Sequence, residues 1–186
     1  FPQLGHKMWI TSLEMQNFRN YESQKIEFSE NINVFYGDNA QGKTNILEAI
    51  YYLSITKPIN INNDKNLIMK DKLGASIKAL IKSNNNENEL SINITNTGKK
   101  LVFNNTEIKK HSDFIGKLKV ILFTPDSLRI IKEGPSNRRR FLNIDISQLY
   151  VKYINYLNEY NIILKQRNEY LKSIKINNKF LTSYRF

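Results

Sequence analysis

The chain has 186 residues, room for one domain with a buried core or a domain and a fraction, and its 40% hydrophobic and 11% aromatic content excludes a disordered polymer. The absence of cysteine excludes disulfides and thiolate chemistry and favours a cytoplasmic setting. His6 and His111 are the only histidines, which argues against a histidine metal centre, and no apolar run reaches membrane-spanning length. A formal charge of +11 points to a polyanion such as DNA, although lysine scattered through a Lys-, Asn- and Ile-rich chain leaves a purely compositional origin open.

Residues 1–7, Phe1-Pro2-Gln3-Leu4-Gly5-His6-Lys7, lack the apolar stretch of a secretory signal and read as a cloning remnant ahead of a natural start at Met8. Trp9 to Phe28 predicts two strands joined by a turn at Asn17-Phe18-Arg19-Asn20-Tyr21. Ile32-Asn33-Val34-Phe35-Tyr36 predicts a further short strand. It runs into Gly37-Asp38-Asn39-Ala40-Gln41-Gly42-Lys43-Thr44, which has the form G-x-x-x-x-G-K-T. From Asn45 to Leu53 the chain continues with Ile46, Ala49, Ile50 and Leu53 on one helix face. Strand, glycine-rich loop and helix together form the setting that separates a phosphate-binding loop from a chance turn.

The chemistry of these residues suits a nucleoside triphosphate. Gly37 lets the chain turn sharply off its strand, and the successive amides from Asp38, Asn39, Ala40 and Gln41 towards Asn45 face inward as an anion nest. Gly42 permits close approach to phosphate, where the positive end of the helix dipole begins. Lys43 is placed to bridge β- and γ-phosphates, and the Thr44 hydroxyl to take Mg²⁺. Arg19 is placed to reach back to the nucleotide from a neighbouring strand, or else is an ordinary solvated arginine.

Lys57 to Asp64 reads as an Asn-rich surface connector. From about 75 to 123 the period becomes that of strands: Ala75–Ile81, a polar turn at Asn84–Asn88, the alternating Leu90–Ile94, a hairpin turn at Asn96-Thr97-Gly98, Leu101–Phe103, a turn at Asn104-Asn105, and Thr106–Ile108. This predicts an antiparallel meander, with Lys119–Phe123 returning as a buried strand. Asp126 follows that strand only after Pro125, so it is rejected as the Mg²⁺ acid. A phosphate loop with no acidic strand beside it is expected to hold a triphosphate better than to hydrolyse it.

In Gly134-Pro135-Ser136-Asn137-Arg138-Arg139-Arg140-Phe141-Leu142, Ser136 or Asn137 is expected to cap a helix starting near Arg138. Arg138, Arg139 and Arg140 then crowd the positive end of a helix dipole. That placement calls for an anion against them, either DNA or nucleotide phosphate, or for carboxylates in a salt-bridged interface between lobes. From Ser147, the residues Leu149, Tyr153, Leu157, Tyr160, Leu164 and Leu171 mark a long amphipathic helix whose aromatic face expects a partner.

Three groups of residues closely resemble the bacterial RecF family: Leu13–Tyr21, the loop Gly37–Asn45 and Leu47–Tyr51. Phe123–Leu128, Gly134–Leu142 and Gln166-Arg167-Asn168 resemble it too, so the likeness runs from Met8 to about Lys172. The resemblance implies an α/β P-loop NTPase, an ABC-type ATPase head with an antiparallel β subdomain and a helical lobe. Residues 8–134 would be the ATP-binding lobe and 135–186 the incomplete start of the helical lobe. It implies ATP and Mg²⁺ as cofactors, with Asn39, Gly42, Lys43 and Thr44 at phosphate and metal, and a basic cluster at Arg138–Arg140.

It also implies an ATP-dependent homodimer of the full-length protein, binding to gapped duplex or junction DNA, and cooperation with RecO and RecR in loading RecA, with no membrane role. The signature motif, Walker B acids and switch histidine of such heads have no counterpart here, so the chain reads as an N-terminal fragment that binds ATP without efficient hydrolysis. Lys57-Pro58-Ile59-Asn60-Ile61 stands where the family carries a basic stretch. The competing readings are a head from another SMC-like ATPase and a non-catalytic DNA-binding module with a vestigial phosphate loop.

Overall fold

In the computed structural model of the chain, residues 7–59, 63–83, 86–128 and 134–182 are described. Most of the expected leader, Asn60–Asn62 of the connector and Asn84-Asn85 of the polar turn lie outside the described residues, as does the side chain of Asp126.

Period-two alternation makes the sheet. Strand β3 (Gly74–Ser83) turns Ala75, Ile77, Ala79 and Ile81 to one face and Ser76, Lys78 and Lys82 to the other. The same period in β1 (Met8–Phe18), β4 (Asn86–Thr95) and β5 (Gly98–Phe103) adds Leu13, Met15, Leu90, Ile92, Ile94 and Leu101 to the inner face. With β2 (Tyr21–Glu27) and β6 (Thr106–Ile108) at the edges, the antiparallel order is β2-β1-β3-β4-β5-β6. Asn104 and Asn105, both at positive φ (46° and 62°), close the β5–β6 hairpin in the primed-turn conformation that asparagine tolerates.

On the outer face charges alternate across the strands. Lys25 and Lys78 flank Glu14, Lys78 also meets Glu89 at 2.6 Å, and Lys100 meets Glu107 at 2.8 Å. These lysines are engaged in cross-strand pairing, so much of the positive charge on this face is already compensated.

Helix α1 (Lys43–Ile55) covers the inner face, burying Ile46, Ala49, Tyr52 and Leu53 against the sheet together with Leu67, Phe114 and Leu118. Beyond the short α2 (His111–Phe114) come α3 (Pro135–Leu149) and α4 (Val151–Thr182). The helix expected near Arg138 is α3 and the long helix expected from Ser147 is α4, which starts at Val151. The two part at Tyr150, whose backbone is extended, and across the bend the Tyr153 hydroxyl donates to Asn143 Oδ1 at 2.6 Å.

Two expected strands do not form. Ile32–Tyr36 joins no ladder among the described residues, leaving Ile32 83% and Tyr36 92% exposed, while Phe35 packs against the core, edge-on to Phe28. Lys119–Phe123 is not a buried strand either: Ile121 is 84% and Phe123 80% exposed. β-branched composition favours extension, but a strand also needs a hydrogen-bonding neighbour, and among the described residues neither segment has one. Instead the backbone of Val120 is served by a side chain. Its N–H donates to Oε1 of the buried Gln148 (2.8 Å), and Gln148 Nε2 donates to its carbonyl (3.1 Å).

The helix expected near Arg138 starts at Pro135, with Gly134 rather than Ser136 or Asn137 at the N-cap position. Proline suits the first helical position because its φ is preset and its missing N–H would have had no partner there. The three arginines thus fall beyond the first turn rather than within it, where the dipole penalises them less.

Candidate nucleotide-binding site

The loop from Gly37 to Thr44 connects Ile32–Tyr36 to the start of α1. Gly37, Ala40 and Gly42 have φ of +143°, +68° and +100°, and these reversals curl the loop into a concavity lined by Asn39, Ala40, Gly42, Lys43, Thr44 and Asn45. Gly42 is the N-cap of α1; no side chain caps the helix and no acid lies in its first turn. The amides of Lys43 and Thr44 and the positive dipole end are therefore free of carboxylate competition. Lys43 Nζ lies across the loop, donating to the carbonyls of Gly37 (2.7 Å) and Asp38 (2.6 Å).

This donor set fits a polyphosphate: converging amides, one ammonium, and the exposed Thr44 beside them for a magnesium ion bound mainly through phosphate and water. Among the described residues no three His, Asp or Glu gather into a metal cluster.

The β1–β2 turn packs against this loop. A Cβ built on Gly42 would lie 2.7 Å from the Tyr21 hydroxyl and 2.8 Å from Asn20 Nδ2, so any other residue would push those side-chain ends aside, and the φ of +100° itself calls for glycine. Asn45 Nδ2 donates to Asn20 Oδ1 at 2.7 Å. Burial raises the pKa of the Tyr21 phenol. The guanidinium of Arg19 is forked onto the buried carboxylate of Glu48 by two bonds of 2.8 Å, with a third to the Asn66 carbonyl at 3.1 Å. Asn20, Tyr21 and Glu48 escaped the sequence reading. Only for Glu48 was there a signal: it lies three residues after Asn45 on α1, itself three after the cap glycine, whereas nothing in the spacing marked Asn20 or Tyr21.

Arg138, Arg139 and Arg140 are exposed, and none makes a hydrogen bond or ion pair with another described residue. Arg140 nevertheless faces α1. The Tyr51 phenol is raised chiefly by burial, with Arg140 lowering it and Asp145 raising it, while burial also lifts the Asp145 carboxyl. None of the three arginines lines the concavity at the loop.

The AAA domain family matches residues 12–185. The DNA replication and repair protein RecF of Listeria monocytogenes serotype 4b (strain CLIP80459) is 43% identical over 172 residues, 92% of this chain and 46% of that protein. RecF of Streptococcus equi subsp. equi (strain 4047) is 42% identical over 176 residues, 94% of this chain and 48% of that protein.

Among solved structures, the recombination mediator protein RecF-ATP in the RecFOR pathway matches with a TM-score of 0.83 at 35% identity, covering 92% of this chain and 48% of that one. RecF-ATPrS of the same pathway matches at 0.84 and 34% identity, covering 90% and 46%. This chain spans about half the length of the relatives it matches. Among the described residues no helix is long and apolar enough to cross a membrane.

Proposed function

The chain belongs to the AAA domain family, on its RecF branch, and from that premise we propose that it is the ATP-binding part of a DNA replication and repair ATPase. The observation that carries this reading is the open end of α1, where Gly42 caps without a side chain and the Lys43 ammonium lies across the loop on the carbonyls of Gly37 and Asp38. Amides of the loop from Asp38 to Asn45 hold the α- and β-phosphates, Lys43 exchanges the carbonyls of Gly37 and Asp38 for phosphate oxygens, and Thr44 takes Mg²⁺. Bound magnesium neutralises phosphate charge. With no acid in the first turn of α1 and no cluster of three acidic or histidine side chains among the described residues, binding outpaces hydrolysis.

For the whole protein, the RecF relation supports an ATP-dependent homodimer acting in the cytoplasm on gapped duplex or junction DNA, with RecO and RecR as partners in loading RecA. Arg138, Arg139 and Arg140, exposed and without a carboxylate partner among the described residues, are the proposed DNA phosphate contacts.

Titration calorimetry with Mg-ATP tests the first part. Lys43→Ala is expected to abolish measurable binding, and equal affinity in variant and wild type would overturn the reading. For DNA, each arginine replaced by alanine is expected to reduce the slope of log affinity against log salt by about one. An unchanged slope would remove the arginines from the interface.

A further inference from the structure

We propose that Asn20 is a positioning residue for polyphosphate binding, through which the β1–β2 turn clasps the phosphate loop. Three consecutive residues of that turn meet α1 and its cap. Arg19 reaches Glu48, Asn20 reaches Asn45, and Asn20 and Tyr21 together close over Gly42. Asn45 lines the concavity itself, so the Asn20 carboxamide fixes a wall of the site without entering it.

The turn is held in a conformation that non-glycine residues adopt only when their surroundings impose it, with Asn17 at φ +50° and Arg19 at φ +55°. What imposes it is the Arg19 fork, the Arg19 amide bonded to the Leu67 carbonyl at 2.8 Å, and the Met69 amide bonded to the Asn17 carbonyl at 2.7 Å. The Asn20–Asn45 bond, in contrast, is exposed, where water competes for both amides and a bond adds little to folding. Its consequence falls on the loop. A cap glycine and a lining asparagine held in place spare the ligand the entropy of ordering them.

This inference rests on the nucleotide-binding reading, and the experiment separates the two. Affinities for Mg-ATP and for inorganic tripolyphosphate are measured by calorimetry on the chain as wild type, Asn20→Ala, Asn45→Ala, the double variant and Lys43→Ala, each with its unfolding midpoint.

Asn20→Ala and Asn45→Ala are each expected to weaken both ligands about fivefold, and the double variant no further than the worse single, with midpoints within about 2 °C of wild type. Unchanged affinity in Asn20→Ala, or additive losses in the double variant, would overturn the clasp. So would a loss for ATP with none for tripolyphosphate, which would mark a direct nucleoside contact instead. Equal binding by wild type and Lys43→Ala would sink the phosphate-loop reading and this inference with it.

Discussion

Arg19 and Glu48 are joined by two N–H···O bonds of 2.8 Å, a fork laid between a tight turn and the first helix, with the carboxylate nearly closed to solvent. A buried carboxylate deprived of its partner retains its desolvation cost. Arg19→Ala is therefore expected to destabilise the chain by about 2–3 kcal/mol in urea unfolding. Replacing both partners (Arg19→Met with Glu48→Leu) is expected to cost less than Arg19→Ala alone. A double variant as damaged as the sum of the singles would show that the pair is not coupled.

Gln148 serves the N–H and the carbonyl of Val120, a role a neighbouring strand would otherwise fill. Gln148→Leu fills the same space and strands two polar groups, for an expected loss of about 1–3 kcal/mol. Amide exchange at Val120 is the local readout, and it is expected to accelerate more than exchange at Ile77 or Ile92 in the sheet interior.

Ile121 and Phe123 stand on an exposed segment with no ladder among the described residues. Ile121→Thr with Phe123→Ser removes apolar surface that the fold does not bury, so the unfolding midpoint of the chain is expected to move by less than about 2 °C. Binding of an apolar dye is expected to fall in the same variant; a large drop in midpoint instead would mean that these side chains are packed.

His111 Nδ1 lies 3.0 Å from the Thr56 hydroxyl, and burial, then the Lys99 ammonium, hold its pKa below the usual 6.5, with Asp64 opposing and Lys57 adding to the effect. A folded value below the unfolded one means that the unfolded chain takes up the proton first. The stabilisation is therefore complete above pH 6.5 and is lost as pH falls through the lower folded value. Unfolding midpoints at about pH 7.5 and 5.5 are expected to differ less in His111→Gln than in wild type, by a modest margin for a ring this open to water. Identical pH slopes would exclude His111 as a contributor.

The parts legible from sequence were those in which neighbours along the chain decide the outcome. Gly37, Gly42, Lys43 and Thr44 lie within eight residues, and the reversals that make an amide nest are a property of that short stretch. The Asn104-Asn105 turn and the alternation of β3 and β4 are local in the same sense.

What only the tertiary structure decided was which distant groups meet. Arg19, read as a possible nucleotide contact, stands on Glu48, twenty-nine positions on, and the approach of Asn20 and Tyr21 to Gly42 left no mark in composition or period. Likewise Ile32–Tyr36 and Lys119–Phe123 carry the composition of strands. Pairing, however, is a relation between two segments, so a strand-like run becomes a strand only where another backbone offers its hydrogen bonds.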